Sequence, residues 1–394
     1  MEQPVTRTLR LKPDALRRLS SGHLWVFSNE IQGFDRSIPP GEDVLVEDHR
    51  GRLVGSGTFN PHSLIAVRLH SPGREEPLDA ALIRARIAAA LERRRRWLGP
   101  GDRACRAVYG EADGLPGLVV DRFDAHLSVQ ILTAAMDRRT PAVLEALDDL
   151  LAPEGTVLRN DAPARRLEGL PLTVDVRGRV PERVPFELGG LRLAADLVRG
   201  QKTGFFFDQR DNYRLIRPLS PGARVLDAFC HTGVWGLAAA RWGAADVTWL
   251  DASRPALDLV RANAGANGLP EPRTVCAEAL EYLKAAAPEA PFDLAIVDPP
   301  AFAKSRRRVP EALRGYLNLN KWAMRSVRPG GHLVTCSCSH HVRPEVFAGT
   351  VARAARAAGR TVRVVGWGRQ GPDHPWLPAM PETAYLKVLL LQVD

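Results

Sequence analysis

Hydrophobic and polar positions change their period twice along this chain of 394 residues. Up to about Pro72 the apolar runs are short and alternate with turn signals. Leu9 to Leu11, Trp25 to Phe27, Asp43 to Asp48, Leu53 to Ser56 and Ile65 to Leu69 read as strands, with a short helix over Asp14 to Leu19. Many short strands in so little chain predict a small barrel. Leu78 to Trp97 then carries apolar residues at helical spacing. Strands over 107–109, 117–121 and 127–132, a helix over 140–151 and strands over 156–159 and 172–176 follow, giving a small α+β module. From about Phe186 strands and helices alternate. Strands over 224–227, 246–251, 273–276, 293–297 and 332–336 each lead into a helical stretch, and two late strands over 362–367 and 385–393 finish the chain. Repeated βα units predict a doubly wound, mostly parallel sheet with helices on both faces. The expected organisation is three domains: 1–73, 74–185 and 186–394.

Composition narrows the class. Apolar residues make up 45% and charged residues 25%, as in a soluble globular protein. No apolar run is long enough to span a membrane, and Met1-Glu2-Gln3-Pro4 lacks the layout of a signal peptide. Five Cys, an odd number, suit reduced thiols in a cytoplasmic protein. The net charge of +9 favours a polyanionic partner. With 48 Arg against six Lys, base-composition bias explains part of that excess. The run Arg93 to Arg96 reads as a solvated helix end.

The chemistry gathers at the carboxyl ends of the predicted strands, where ligands bind in a doubly wound sheet. Those ends carry Asp227, Asp251, Glu278, Asp298 and the stretch Cys336–Cys338. The segment Val225 to Gly236 is the pivot: a buried strand, a turn of small residues that lets a ligand approach the backbone, and a helix opening near Gly233. Asp251, in Asp251-Ala252-Ser253, stands where an acid accepts ribose hydroxyls; it or Ser253 also suits a helix N-cap. Glu278 fits either an adenine amino group or a solvated first helical turn. Asp298-Pro299-Pro300-Ala301-Phe302 ends a strand in an acid and a rigid exit without backbone donors, beside a ring that can hold a flat base. The thiols admit three readings: nucleophile, inert packing or a zinc site. A C-x-C followed at once by His340 and His341 lacks ordinary zinc spacing, so no metal is expected.

Asp298-Pro-Pro-Ala-Phe, Asp227-Ala-Phe-Cys-His-Thr-Gly and Thr335-Cys-Ser-Cys-Ser resemble the class I S-adenosylmethionine-dependent methyltransferases. More narrowly they resemble the large-subunit rRNA cytosine-5 methyltransferases with an N-terminal PUA domain. Leu24 to Phe27, Gly114 to Asp121, Gly200 to Asn212 and Asp373-His374-Pro375 carry the same likeness, so it spans nearly the whole chain. The resemblance implies a PUA barrel, a central domain that helps hold RNA, and a Rossmann-like domain using S-adenosyl-L-methionine. It places cofactor contacts on Phe229, Thr232, Gly233, Asp251, Ala252, Ser253, Glu278, Ala279 and Asp298. Cys230-His231 departs from the Ser-Tyr often found there, and Cys230 is expected to be buried.

Carbon 5 of cytosine is a weak nucleophile until a thiolate adds to carbon 6. The implied catalytic residues are Cys338, preferred over Cys336 because it lies nearer the strand exit and matches the family's Ser-Cys-Ser position, and Asp298 as the base, with water as its competitor. His340 or His341 is placed to lower the thiol pKa. Phe302 or Phe207 is expected to stack on the flipped base, Lys202 and Arg210 to meet RNA phosphates or steady the cofactor, and the loop from Lys304 to clamp phosphates or serve as a plain surface loop. The implied partner is large-subunit rRNA. The sequence leaves open a homodimer, another target atom or base, and a non-catalytic assembly factor that keeps the fold.

Overall fold

Period-two alternation in the first seventy residues builds one five-stranded sheet in the computed structural model, which describes residues 7–394 except 100, 290 and 304. Its strands are Arg7–Arg10, Glu42–Glu47, Leu53–Phe59, Ile65–Pro72 and Trp25–Phe27, in that spatial order. Val26, Val44, Val46, Phe59, Val67 and Leu69 face inward and are buried. Each such side chain contributes about 1.5–3 kcal/mol by leaving water.

A second five-stranded sheet follows, ordered Thr173–Gly178, Gly155–Asn160, His126–Ile131, Leu118–Phe123 and Ala104–Tyr109. The helices Ala80–Leu98 and Thr140–Leu151 pack together, and Ile83, Ile87, Val120, Val129, Val143 and Leu147 share its core. The Arg93–Arg96 run departs from the expected solvated end. Arg94 is 4% exposed and donates to Asp113 Oδ1 (2.7 Å) and to the Asp373 carbonyl (2.8 Å). Arg93 also donates to Asp113, while Arg95 and Arg96 hold Glu92. Both sheets lie in one compact unit with residues 196–205 and 372–383.

The other unit comprises 185–195, 206–371 and 384–394. Its seven strands are β1 (Arg224–Ala228), β2 (Asp246–Asp251), β3 (Arg273–Cys276), β4 (Phe292–Val297), β5 (Val327–Ser337), β6 (Val362–Gly368) and β7 (Lys387–Val393). They lie in the order β3-β2-β1-β4-β5-β7-β6. Pairing is parallel from β3 to β5, and β7 runs antiparallel to both β5 and β6. The order reverses between β1 and β4, which opens a crevice at their carboxyl ends.

The helices are α1 (Val234–Arg241), α2 (Arg254–Ala266), α3 (Ala279–Ala286), α4 (Val309–Ser326) and α5 (Pro344–Ala358). Local chemistry sets their ends. Ser253 Oγ accepts from Ala256 N and Pro255 opens α2. Proline also opens α4 and α5, and Gly359 ends α5 in the left-handed conformation. Leu226, Ala228, Leu250, Ala295, Val297, Leu333, Tyr316 and Phe347 form the core that fixes the strand ends. Among the described residues no helix is long and apolar enough to cross a membrane.

Candidate active site

The turn after β1 is backbone-strained. Phe229 (φ 61°) and His231 (φ 48°) sit in the left-handed region without being glycine, and such residues cluster at functional sites. The small residues that follow have a reason beyond the one their sequence suggests. A Cβ on Gly236 would lie 2.3 Å from Trp249 Nε1, and one on Gly233 2.9 Å from Val260 Cγ2. Trp249, on β2, donates Nε1–H to the Gly233 carbonyl at 3.2 Å. Gly233, at φ 83°, and Gly236 are small because they admit the Trp249 indole beneath the turn.

Carboxylates line the rim of β1, β2 and β4. Asp227 is 1% exposed, and its Oδ2 accepts from Gly236 N at 2.8 Å while its Oδ1 has no partner. Burial pushes this carboxyl up to about 7. The Gly236 bond opposes that rise, and Asp298 and Asp251 add to it. Asp251 Oδ2 accepts from His231 N (3.0 Å) and Oδ1 from Ser253 N (2.8 Å), leaving a further lone pair on each oxygen. Ser253 is the N-cap of α2, and Ala252 beside it is exposed. Thr232 is buried, with its carbonyl accepting from Asn263 Nδ2. Phe229 is half-buried against the core. Glu278 stands exposed before α3 and makes no capping bond; Ala279 is buried in the core.

At the next strand ends the acid and the thiols meet. Gln209 Nε2 donates to Asp298 Oδ2 at 2.8 Å, and Asn212 Nδ2 donates to Gln209 Oε1 at 2.7 Å. Cys338 is half-buried just past β5, with Sγ 3.8 Å from the Pro299 carbonyl. Cys336 is 0% exposed, and burial, then Asp298, raises its thiol pKa well above the ordinary value. Cys230 is likewise buried with a raised pKa, so neither is a ready thiolate. Phe302 stacks on Tyr316 (centroids 4.7 Å), whose hydroxyl bonds Ser339 Oγ (2.9 Å) and Ser337 Oγ (3.0 Å). Ala303 N donates to Ser339 Oγ as well. The Asp-Pro-Pro loop and the thiol loop are thereby tied to one hydroxyl cluster.

Two expected RNA-facing residues are corrected. Phe207 is 0% exposed and packs edge-on against Phe186 (5.9 Å), so its ring has no face for a base. Phe206 is the half-buried ring of that stretch, edge-on to His231 at 4.9 Å. Arg210 is buried, not held out toward phosphates. Lys304 lies outside the described residues. His340 is exposed, with its ring tilted over Tyr385.

Sequence reasoning passed over three residues here. Gln209 and Tyr316 gave no signal on their own. Lys387 did: it is the charged residue that opens the apolar run Val388 to Leu391. It is 8% exposed, and Nζ donates to the Ser339 and Tyr385 carbonyls, both at 2.7 Å. Burial lowers its pKa to about 8, and Cys338 acts against that fall.

Comparison with known proteins decides what the crevice holds. Residues 9–72 match a PUA-like domain, and residues 177–392 match an S-adenosylmethionine-dependent methyltransferase. The chain belongs to the S-adenosylmethionine-dependent methyltransferases. A relative of this methyltransferase, the ribosomal RNA large subunit methyltransferase I of Shewanella amazonensis, is 36% identical over 391 residues, 98% of this chain and 99% of that protein. A candidate SAM-dependent methyltransferase from Streptococcus mutans, 18% identical, superposes with a TM-score of 0.83 over 98% of this chain and 100% of its own. A candidate methyltransferase solved with SAH reaches 0.85 at 17% identity, with the same shares covered. At these identities the two structures establish the fold.

The cofactor of this methyltransferase is S-adenosylmethionine, and the residues present suit it. The partnerless Asp227 Oδ1 suits a cationic amine, and the remaining Asp251 lone pairs suit ribose hydroxyls.

Proposed function

We propose that this enzyme methylates carbon 5 of a cytosine in large-subunit ribosomal RNA, with Cys338 as covalent nucleophile. Similarity at 36% identity along nearly the whole of a ribosomal RNA large subunit methyltransferase I supports the substrate class. The observation that carries the mechanism is the contrast between the thiols: Cys336 is sealed in the core, while Cys338 is accessible at the strand exit beside the Asp298 loop. Residues 1–73 and 74–185 serve RNA binding in this reading, and 186–394 carries out transfer.

S-adenosylmethionine, when bound, supplies an electrophilic methyl group. Asp227, Phe229, Thr232, Gly233, Asp251, Ala252 and Ser253 would hold it on the β1–β2 side, and Glu278 and Ala279 would meet its adenine. The chain's own residues prepare the acceptor. Phe302, backed by Tyr316, offers the flipped cytosine a flat surface, and His340 flanks the entrance. The Cys338 thiolate forms a bond to carbon 6, which moves the double-bond electrons onto carbon 5 and makes it nucleophilic. Once carbon 5 is methylated its proton must leave. Asp298, oriented by Gln209, takes that proton, the carbon 6–sulfur bond breaks, the ring double bond returns and Cys338 is released as thiolate.

The test is mass-spectrometric mapping of modified cytosines in rRNA from cells with and without this protein. Loss of one 5-methylcytosine in the large subunit is the expected result. An unchanged map, or loss of a nitrogen-linked methyl group, would overturn the reading, because transfer to nitrogen needs no thiol.

A further inference from the structure

Resting on the reading of Cys338 as nucleophile, we infer that Lys387 is a positioning residue that aims the thiol-bearing loop and holds Cys338 as thiolate by its positive charge. The antiparallel register of β5 and β7 pairs Ser337 with Lys387, which brings the amine to the point where the chain leaves the sheet for Cys338. An ammonium has three donors. Two are spent on the Ser339 and Tyr385 carbonyls, fixing the backbone on the far side of Cys338, and the third is left for the thiolate. Burying a charge is costly without compensation. Two carbonyls supply only dipoles, and an adjacent thiolate supplies the missing negative charge; Cys338 indeed counteracts the depression of the Lys387 pKa.

The other titratable groups around Cys338 do not provide that charge. Asp298 precedes the proline whose carbonyl meets Cys338, and its charge disfavours a thiolate at Cys336; Cys336 is sealed in β5, and burial raises the Tyr316 phenol pKa. His340 and Tyr385 stack on each other at the outer side. Among these described groups Lys387 is a buried cation, 8% exposed. The chain uses Arg for 48 of its 54 basic residues, yet a lysine stands here. A compact point charge with three rotatable donors fits two converging carbonyls and a sulfur better than a planar fork.

The full-length enzyme tests this by iodoacetamide alkylation from pH 6 to 10, with Cys338 followed by peptide mass spectrometry. Lys387→Gln keeps donors for the carbonyls and loses the charge; Lys387→Arg keeps the charge. The expected result is that K387Q alkylates about tenfold more slowly near pH 7, with its midpoint moved upward, and that kcat falls in parallel with little change in KM for RNA. K387R, which keeps the charge, shifts the midpoint much less than K387Q. A wild-type profile in K387Q, or a shift in K387R as large as in K387Q, overturns the inference. Should K387Q fail to fold, the reciprocal measurement decides. With six lysines in the chain, the Lys387 ε-carbon is followed by NMR in wild type and in Cys338→Ala. Its titration midpoint falls in C338A if the pair is coupled, and an unchanged midpoint overturns the coupling. Full methyl transfer by C338A would sink the nucleophile assignment alone, since alkylation and NMR still report the Lys387–thiol pair.

Discussion

Asp113 in the N-terminal unit and Asp227 in the seven-stranded unit are buried almost equally, and they end in opposite electrostatic states. Asp113 accepts from Arg93 (2.6 Å), Arg94 (2.7 Å) and Tyr109 N (2.7 Å). Burial alone would raise its pKa, but Arg94 and then Arg93 bring it below the ordinary value. Asp227 has one backbone donor, an oxygen without a partner and two acids as electrostatic neighbours, and its pKa climbs to about 7. A buried charge that serves architecture is paired by the chain itself. One left incompletely paired at the switch point of the sheet is where the proposed reading puts the ligand's positive charge.

The largest effect tests the thiol side of that contrast. Cys338→Ala should lower single-turnover methylation by at least about 10³-fold, with fold and cofactor affinity retained. Cys336→Ala should leave the rate within about threefold and cost about 1 kcal/mol of stability as a small core cavity. Comparable losses in both would erase the distinction between the sealed and the accessible sulfur.

Next come the carboxylates. Asp113→Asn leaves two arginines without their counter-charge, and chemical denaturation should show a loss of about 3–5 kcal/mol. Asp227→Asn keeps an acceptor for Gly236 N–H and removes the cost of ionising a buried carboxyl, so it should not destabilise the fold at neutral pH. Calorimetry should instead show about tenfold weaker S-adenosylmethionine binding. If Asp227→Asn unfolds the protein as Asp113→Asn does, Asp227 is architectural too.

Acid titration of stability sharpens the same pair. Asp227 has a raised folded pKa, so its contribution is fully present below the unfolded value near 4 and is lost as pH rises through about 7. The slope is at most about 1.4 kcal/mol per pH unit. Asp113 has a lowered folded pKa, so its contribution is present above the unfolded value and is lost as pH falls through the folded one. Subtracting the D227N curve from wild type should isolate the first slope. The smallest effect belongs to exposed Glu278: Glu278→Gln should weaken cofactor binding less than about threefold and leave the melting temperature unchanged.

The alternating strand–helix pattern located all seven strands of the large sheet to within a few residues; burial forces apolar runs in the inner strands, while the edge strands β3 and β6 are largely exposed. The hairpin Val184–Leu188 with Leu191–Ala195 and the 3-10 turns over 207–219 went unread, being short and set by tertiary contacts. Three aromatics in a row, Phe205 to Phe207, gave no hint of which rings are buried; Phe205 and Phe207 are, the latter against Phe186, and Phe206 is half-buried. The arginine run looked solvated because its acid, Asp113, lies nineteen positions from Arg94.

The sequence by itself determined the family, the order of the elements and the residues at each strand exit, because these follow from local period, from chain direction and from motifs that are contiguous. Tertiary structure decided what two-residue alternation cannot. Cys336 and Cys338 have the same parity along the chain, and only the point where β5 leaves the core separates a sealed thiol from an accessible one. It also decided which distant groups meet them. Gln209 reaches Asp298, Tyr316 ties Ser337 to Ser339, and Lys387 arrives opposite Ser337 through an antiparallel register that no local pattern encodes.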